Sequence, residues 1–347
     1  MTAPTDMATG VERVLAPAGA LPQAAERLST AEPLTGSEIE IEVEYLNLDA
    51  ASYRDLAEHH GHDAARIRAE MLDIVATRGK MVNPRTGSGG MLVGRISRLA
   101  SEKACAPFAV GDRVATLISL TATPLQIRDG LRRWAADSEV VPVDARAIVP
   151  APRMITALPD DLPAPVALTV LDVCGAPAQA ERILTRSLLS GTARRMLLLG
   201  GGKSAVLSAA VARRHGVQTV SVVPTAGEAD RLRELGLFDA VVVADATDPL
   251  GVRRAVEQRF PDLADVTFVC VNAAGCEHAA LLATRQGGAI LYFSMATSFT
   301  AVALGAEALC LDFDLYFGSG YVPGHAALAL DIVRTDPRVR RFFDPEI

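Results

Sequence analysis

From about residue 160 the chain repeats one unit, a short apolar run followed by a stretch of helical periodicity. The apolar runs are "RRMLLLG", "VQTVSVVP", "DAVVVAD", "DVTFVCVN" and "AILYFSMA". Between them lie "KSAVLSAAVARRHG", "EADRLRELG", "GVRRAVEQRF" and "EHAALLATRQGG", and helical "PAPVALTVLDVCGAPAQAERILTRS" leads in. A helix between two strands carries the chain back to its starting edge, so the strands pair in parallel. This half therefore predicts a doubly wound parallel sheet with helices on both faces, an α/β fold. Ligands of such sheets lie at the carboxyl ends of the strands.

The earlier residues follow a different rule. "SEIEIEVEYLNLDA" alternates Ile39, Ile41, Val43 and Tyr45 with Glu38, Glu40, Glu42 and Glu44, the period of a half-buried strand. A helix follows around "AASYRDLAE", and "GSGGMLVGRISRLA" and "VGDRVATLISL" read as strands introduced by glycine turns. The 347 residues suffice for two cores. The predicted division is a β-rich domain over 1–160 and the nucleotide-type domain over 161–317. Residues 318–347 are a candidate segment for packing back on the first domain.

Charge and cysteine content narrow the setting. A net charge of -7 argues against a general nucleic-acid or anionic-membrane binder. No apolar run approaches the length that spans a bilayer. The start, "MTAPTDMATG", lacks the basic and apolar regions of a secretory signal and reads as a short disordered lead. Five scattered cysteines, Cys105, Cys174, Cys270, Cys276 and Cys310, suit free thiols in a reducing cytoplasm.

"LLLGGGKSA" is where the two readings of a glycine-rich loop separate. A Walker loop needs a glycine at position 197, which is Leu197 inside the strand. Gly200-x-Gly202-x-x-Ala205 instead fits the dinucleotide turn, placed between a strand and a helix. Gly200, Gly201, Gly202, Lys203, Ser204 and Ala205 are thus the predicted diphosphate cradle. Where NAD-specific sheets place an acid, this chain has Pro224 and Thr225. Loss of the acid permits NADP, with Arg231 and Arg233 nearby, while Glu228 is the alternative acceptor for the ribose; the expected cofactor is NADP or NAD. Asn272 and Ala273, and Ser294 and Met295, follow the later strands where the nicotinamide ribose would lie.

The β-rich first half, "GDRV" at Gly111–Val114 and the late nucleotide sheet together resemble the medium-chain dehydrogenase/reductase superfamily. The resemblance implies a GroES-like catalytic domain joined to a Rossmann domain. Zinc members carry a Cys after the first strand and a Gly-His-Glu further on. Here Asn47 and Asp49 occupy the first place and "TGSGGMLVGRI" the second, so no catalytic metal is expected. The one metal-like tract is "HHGH" at His59, His60 and His62, which reads as a helix end and loop. "GKMVNPRTGSGGMLVG", "FSMATSFTAVALGAEAL", "GSGYVPGHA" and "LDVCGAPAQ" are similar to the zinc-independent branch that contains the L-erythro-3,5-diaminohexanoate dehydrogenases. The sequence departs from that branch at Val82, where the pattern commonly has a His.

The resemblance implies NAD(P)-dependent oxidative deamination of a β-amino acid. Such a site needs a base, a cation for the carboxylate and an acid for the second ammonium. Asp49, just past the first strand, is the candidate base. Lys80 would also serve if buried with a depressed pKa, and is otherwise a surface cation. Arg85, in a loop with Asn83, Thr86 and Ser88, is the candidate carboxylate ligand, and Glu307 the candidate partner of the distal ammonium. Asn47 and Arg54 match the spacing of zinc-free quinone reductases. Asp172 is either a buried acid or a capping residue, and Cys174 and Cys270 read as core. Rival readings are a zinc-independent NADPH-dependent enone or quinone reductase, and a non-catalytic nucleotide-binding homologue. The resemblance also implies a homodimer or homotetramer, with "DFDLYF" extending the sheet across a two-fold.

Overall fold

The structure, a computed structural model, describes residues 8–344 other than 190, 192, 193 and 319. The expected lead at 1–7 lies outside the described residues. The chain forms two compact units, Met1–Ala164 and Pro165–Ile347.

In the first unit, β1 (Val14–Ala16) and β2 (Arg27–Leu28) make a small antiparallel pair. Then come β3 (Ile39–Leu48), α1 (Ala50–His59), α2 (Ala64–Arg78), β4 (Gly90–Leu99), α3 (Glu102–Cys105) and β5 (Arg113–Thr116). β6 (Leu125–Ile127), β7 (Val140–Val149) and β8 (Ile155–Ala157) complete an antiparallel sheet in the order β6-β7-β3-β4-β5-β8. β3 buries Ile39, Ile41 and Val43 as its alternation predicts. The glutamates of this run are not all solvated, however: Glu40 within β3 and Glu38 just before it are only 4% and 5% exposed. Arg13 donates from Nε and Nη2 to Glu38, both at 2.6 Å, and Arg98 and Arg146 converge on Glu40. Burial pushes both carboxyls up, but the guanidinium contacts outweigh it and hold them below their ordinary range.

The helix α2 is absent from the sequence reading. Asp63 caps it by accepting from the Ala65 and Arg66 amides, and Ile67, Met71, Ile74 and Val75 bury one face. These residues stand four, three and one apart, which is one stripe of a helix. The stripe joins the core beneath β3 and β7.

The second unit starts with α4 (Ala164–Leu171) and α5 (Gly175–Leu189). β9 (Arg195–Leu199), α6 (Lys203–Arg214), β10 (Gln218–Val223), α7 (Ala226–Leu235), β11 (Ala240–Val243) and α8 (Pro249–Glu257) follow. Next are β12 (Ala264–Val269), α9 (Glu277–Ala283), β13 (Thr284–Tyr292), α10 (Phe299–Leu309) and β14 (Phe313–Phe317). The six strands are all parallel, in the order β11-β10-β9-β12-β13-β14. Read within this sheet, that is the Rossmann order 3-2-1-4-5-6, whose direction reverses between β9 and β12. The helix α9 stops earlier than its pattern suggests. Thr284 Oγ1 hydrogen-bonds to the Ala280 carbonyl and lies 2.6 Å from Thr267 Oγ1, which draws the chain into the sheet at that point.

Two closing helices, α11 (His325–Thr335) and α12 (Pro337–Phe343), end the described chain. The segment 318–347, considered above as returning to the first domain, is part of the second unit. There α11 packs on α5 and α6, and α12 on α6 and α7.

Candidate active site and cofactor turn

The turn after β9 is built from three glycines doing three different things. Gly200 has φ +116°, a region L side chains rarely enter, and its amide donates to the Val222 carbonyl at 2.9 Å. Gly201 is pressed against its neighbours: a Cβ there would lie 2.4 Å from Leu232 Cδ1 and 2.9 Å from Val223 Cγ1. Gly202 is the N-cap of α6, has no side-chain cap, and a Cβ there would meet nothing within 4 Å. The first amides of α6 thus face open space over bare backbone. That fits a diphosphate, which the helix N-terminus attracts by its unpaired N–H groups and its dipole. Ala205, fully buried, lets helix and strand approach, while Lys203 is exposed and Ser204 half-buried.

A cleft of about 710 Å³ opens beside this turn, lined by Gly201, Gly202, Glu228, Arg231, Leu232 and Arg341 among others. Thr225, exposed, caps α7 by accepting from the Glu228 amide at 3.2 Å. Asn272 and Ala273 lie in the loop after β12, exposed and half-buried respectively, and Ser294 and Met295 in the loop after β13. Met295 is 98% exposed, and Ser294 Oγ accepts from the Ala296 amide at 3.1 Å. Because the strands run parallel, all these loops share one edge of the sheet with the glycine turn.

In the first unit, α1 and the loop 79–90 bring a polar cluster together. Asp49 caps α1 by accepting from the Ser52 amide at 2.9 Å. One turn on, Ser52 Oγ lies 2.8 Å from Ser88 Oγ, which lies 2.8 Å from Thr86 Oγ1. A further turn on, Asp55 Oδ2 accepts from Asn83 Nδ2 at 2.7 Å and from Arg85 Nε at 2.6 Å. Arg85 Nη1 also donates to Glu70 on α2 at 2.8 Å, and Glu70 meets His60 at 2.5 Å. Burial raises Asp55 and Glu70, but their donors outweigh it, so both stay below the ordinary carboxylate range.

The other expected residues fall at scattered positions in the two units. Lys80 has no exposed surface, and its Nζ donates to the carbonyls of Pro22 at 2.7 Å and Gln23 at 3.0 Å. Burial depresses its pKa to about 8, as a base would need, yet the nitrogen is spent on tying the N-terminal segment down. Arg85 is not a bare cation, since two of its nitrogens already hold carboxylates. Glu307 is an exposed residue of α10, and Asp172 an exposed turn residue rather than a buried acid. Asn47 lies within β3 and Arg54 is exposed on α1. Burial pushes the Cys174 thiol up to about 12, in keeping with a core residue. His59, His60 and Glu70 bring ligand atoms within 4.8 Å, but Arg85 bonds the same Glu70 and disfavours a cation there. Ser52, Asp55 and Glu70 were missed. The signal was present for two of them, since Asp49, Ser52 and Asp55 recur every third residue along α1.

A β-rich unit followed by a parallel sheet in Rossmann order with a bare glycine turn is the fold of the medium-chain dehydrogenases/reductases. Solved structures agree on the fold: D-arabinose dehydrogenase from Sulfolobus solfataricus has a TM-score of 0.55 at 14% identity, covering 90% of this chain and 92% of its own. A mycobacterial protein complexed with NADPH has 0.53 at 17%, covering 93% and 84%. The narrower assignment comes from sequence relatives. The L-erythro-3,5-diaminohexanoate dehydrogenase of Acetoanaerobium sticklandii is 38% identical over 96% of this chain and 97% of its own. That of Fusobacterium nucleatum subsp. nucleatum is 37% identical over the same shares. Residues 12–159 match the L-erythro-3,5-diaminohexanoate dehydrogenase N-terminal domain. The chain belongs to the L-erythro-3,5-diaminohexanoate dehydrogenase family.

Proposed function

We propose that the protein catalyses NAD(P)-dependent oxidative deamination of L-erythro-3,5-diaminohexanoate, giving 5-amino-3-oxohexanoate and ammonia. The observation that carries this reading is the 38% identity extending over 96% of the chain, through both units. The oxidised nicotinamide, when bound, accepts hydride from the amine-bearing carbon. Gly200, Gly201, Gly202 and the first amides of α6 hold its diphosphate, and Asn272, Ala273, Ser294 and Met295 border its ribose.

The chain's own residues then have three tasks. Asp49 keeps the reacting amine neutral so that its lone pair can form the C=N bond as the hydride leaves. That first proton, taken from the amine, passes to solvent. The freed carboxylate then takes a proton from the water that adds to this carbon and returns it to the nitrogen. The nitrogen leaves as ammonia while the new hydroxyl gives up its own proton to form the ketone. Arg85, pinned through Nε and Nη1 by Asp55 and Glu70, offers its remaining nitrogen to the substrate carboxylate. Asp55, whose Oδ1 takes part in no hydrogen bond or ion pair among the described residues, holds the distal ammonium, the role expected of Glu307.

Following reduced-nicotinamide absorbance with 3,5-diaminohexanoate, a panel of β-amino acids, and enones in the reverse direction tests the proposal. Turnover with the diamine supports it. Rapid enone reduction without turnover of any amine would move the chain to the reductase reading.

We further propose a homodimer or homotetramer built on the free edge of β14. That edge strand carries Phe317, and adjoining α10 exposes Phe299 and Leu304, 66% and 60% accessible. Among the described residues no helix is long and apolar enough to cross a membrane. The five free thiols suit the cytoplasm.

A further inference from the structure

Asn83, in the loop between α2 and β4, has no exposed surface and spends its whole side chain on hydrogen bonds. Its Nδ2 donates to Asp55 Oδ2 at 2.7 Å and to the Ser52 carbonyl at 3.3 Å. Its Oδ1 accepts from the Arg85 amide at 2.9 Å and from the Thr86 amide at 3.4 Å. A backbone amide can face only the oxygen of this group and a carboxylate only its nitrogen, so these partners fix which way the side chain points. One buried residue thus grips a carboxylate of α1 and the backbone of the segment that carries Arg85.

The grip on Asp55 has a consequence for Arg85. Glu70 holds Arg85 Nη1 at 2.8 Å, and Asp55 Oδ2 holds Nε at 2.6 Å. Nη2 lies on the same edge of the guanidinium as Nε, and that edge is the fork a carboxylate favours gripping with both oxygens. Asp55 does not close on it. Oδ2 alone is engaged, shared between Arg85 and Asn83, while among the described residues no hydrogen bond engages Asp55 Oδ1 or Arg85 Nη2. Burial raises the Asp55 pKa, and the Asn83 hydrogen bond is the largest of the causes that lower it, ahead of Arg85. Without Asn83 the carboxylate is free to rotate onto the fork, where Oδ1 and Nη2 would satisfy each other.

We propose that Asn83 is a positioning residue for substrate recognition, holding Asp55 by one oxygen so that Asp55 and Arg85 stay available as two separate binding groups. The open oxygen then meets an ammonium and the open nitrogen a carboxylate, one for each of these charges on a diamino acid. The proposal rests on the roles given to Arg85 and Asp55 above and adds the residue that keeps them from neutralising each other. A brace for the loop alone is the competing role, and the bonds to the Arg85 and Thr86 amides would be enough for it.

The test compares 3,5-diaminohexanoate as substrate with 3-aminohexanoate as competitor, which keeps the carboxylate and lacks the distal ammonium. Asn83→Ser keeps an oxygen for the turn amides and is too short to reach Asp55. Asn83→Thr, nearer in volume, takes its place if the smaller side chain does not fold. KM for the diamino acid and Ki for 3-aminohexanoate should each rise about tenfold, the size of a lost hydrogen bond to a charged group, with kcat within about threefold of wild type. Adding Asp55→Ala to Asn83→Ser removes the carboxylate that closes the fork, so Ki for 3-aminohexanoate should return to that of Asp55→Ala alone. A loop brace predicts no such recovery. Weak 3-aminohexanoate binding that persists in the double variant overturns the proposal, as do unchanged KM and Ki in a folded Asn83→Ser protein. A wild type that turns over no diamino acid would instead overturn the functional reading beneath it.

Discussion

The ammonium nitrogen of Lys80 sits 2.7 Å from the carbonyl oxygen of Pro22, at a position with no exposed surface. Its pKa falls from 10.5 to about 8, with burial the main cause and Arg78 adding to it. The unfolded chain therefore holds this proton over a pH range in which the folded chain has lost it. Stability from this group is complete above pH 10.5 and is lost as pH falls through 8, a rise with pH of at most about 3 kcal/mol. Urea unfolding at pH 7.5 and pH 10 should show the rise in wild type relative to Lys80→Met. Equal changes in the two proteins would remove Lys80 as its source.

Neighbouring glycines of the turn should fail in different ways. Gly202→Val points its side chain into open space, so the fold should survive at a cost of about 1 kcal/mol for the poorer cap while NADH affinity drops at least about 100-fold. Gly201→Val drives its side chain into Leu232 and Val223 and should lower the stability of the second unit by about 1–3 kcal/mol. Calorimetry together with fluorescence titration separates the two. Normal NADH affinity in a folded Gly202→Val protein would move the diphosphate elsewhere.

Asp49 combines a helix cap with the proposed proton transfer, and two substitutions divide these roles. Asp49→Asn keeps a capping oxygen and should melt close to wild type, whereas Asp49→Ala should lose about 1 kcal/mol. Both should reduce kcat by about 100-fold or more if the carboxylate moves the protons. An active Asp49→Asn enzyme would leave only the cap.

Arg85 lies between Asp55 and Glu70, whose side chains are 25% and 19% exposed. Arg85→Met leaves those two carboxylates facing each other and should cost about 1–2 kcal/mol, with KM for the diamino acid rising steeply. Arg85→Lys, which cannot span both acids in the same fork, should recover part of the stability and little of the KM. An unchanged KM in both variants would confine Arg85 to holding the first unit together.

The free edge of β14 gives a separate prediction. Phe299 and Phe317, with ring centroids 5.2 Å apart, make an apolar surface that Phe317→Glu should spoil without touching the cofactor turn. Light scattering should show wild type as an oligomer and the variant shifted towards monomer. A wild type that is monomeric at micromolar concentration would dispose of the interface.

The sequence alone determined the elements whose signals are local. Alternation of strand and helix forced a parallel sheet, and the spacing of Gly200, Gly202 and Ala205 with Leu197 in the strand excluded a Walker loop. Family-like peptides pointed to the family found in the relatives. The tertiary structure decided what depends on distance through space. Glu38 and Glu40 sit on the face that periodicity assigns to water, yet arginines from residues 13, 98 and 146 cover them. Arg85 reads as an open-loop cation until Asp55 and Glu70, 30 and 15 residues away in the chain, claim it. Backbone propensity and apolar period are written over a few consecutive residues, so they can be read along the chain. The partner of a charge is chosen by which elements packing brings together, and no stretch of sequence around that charge records the choice.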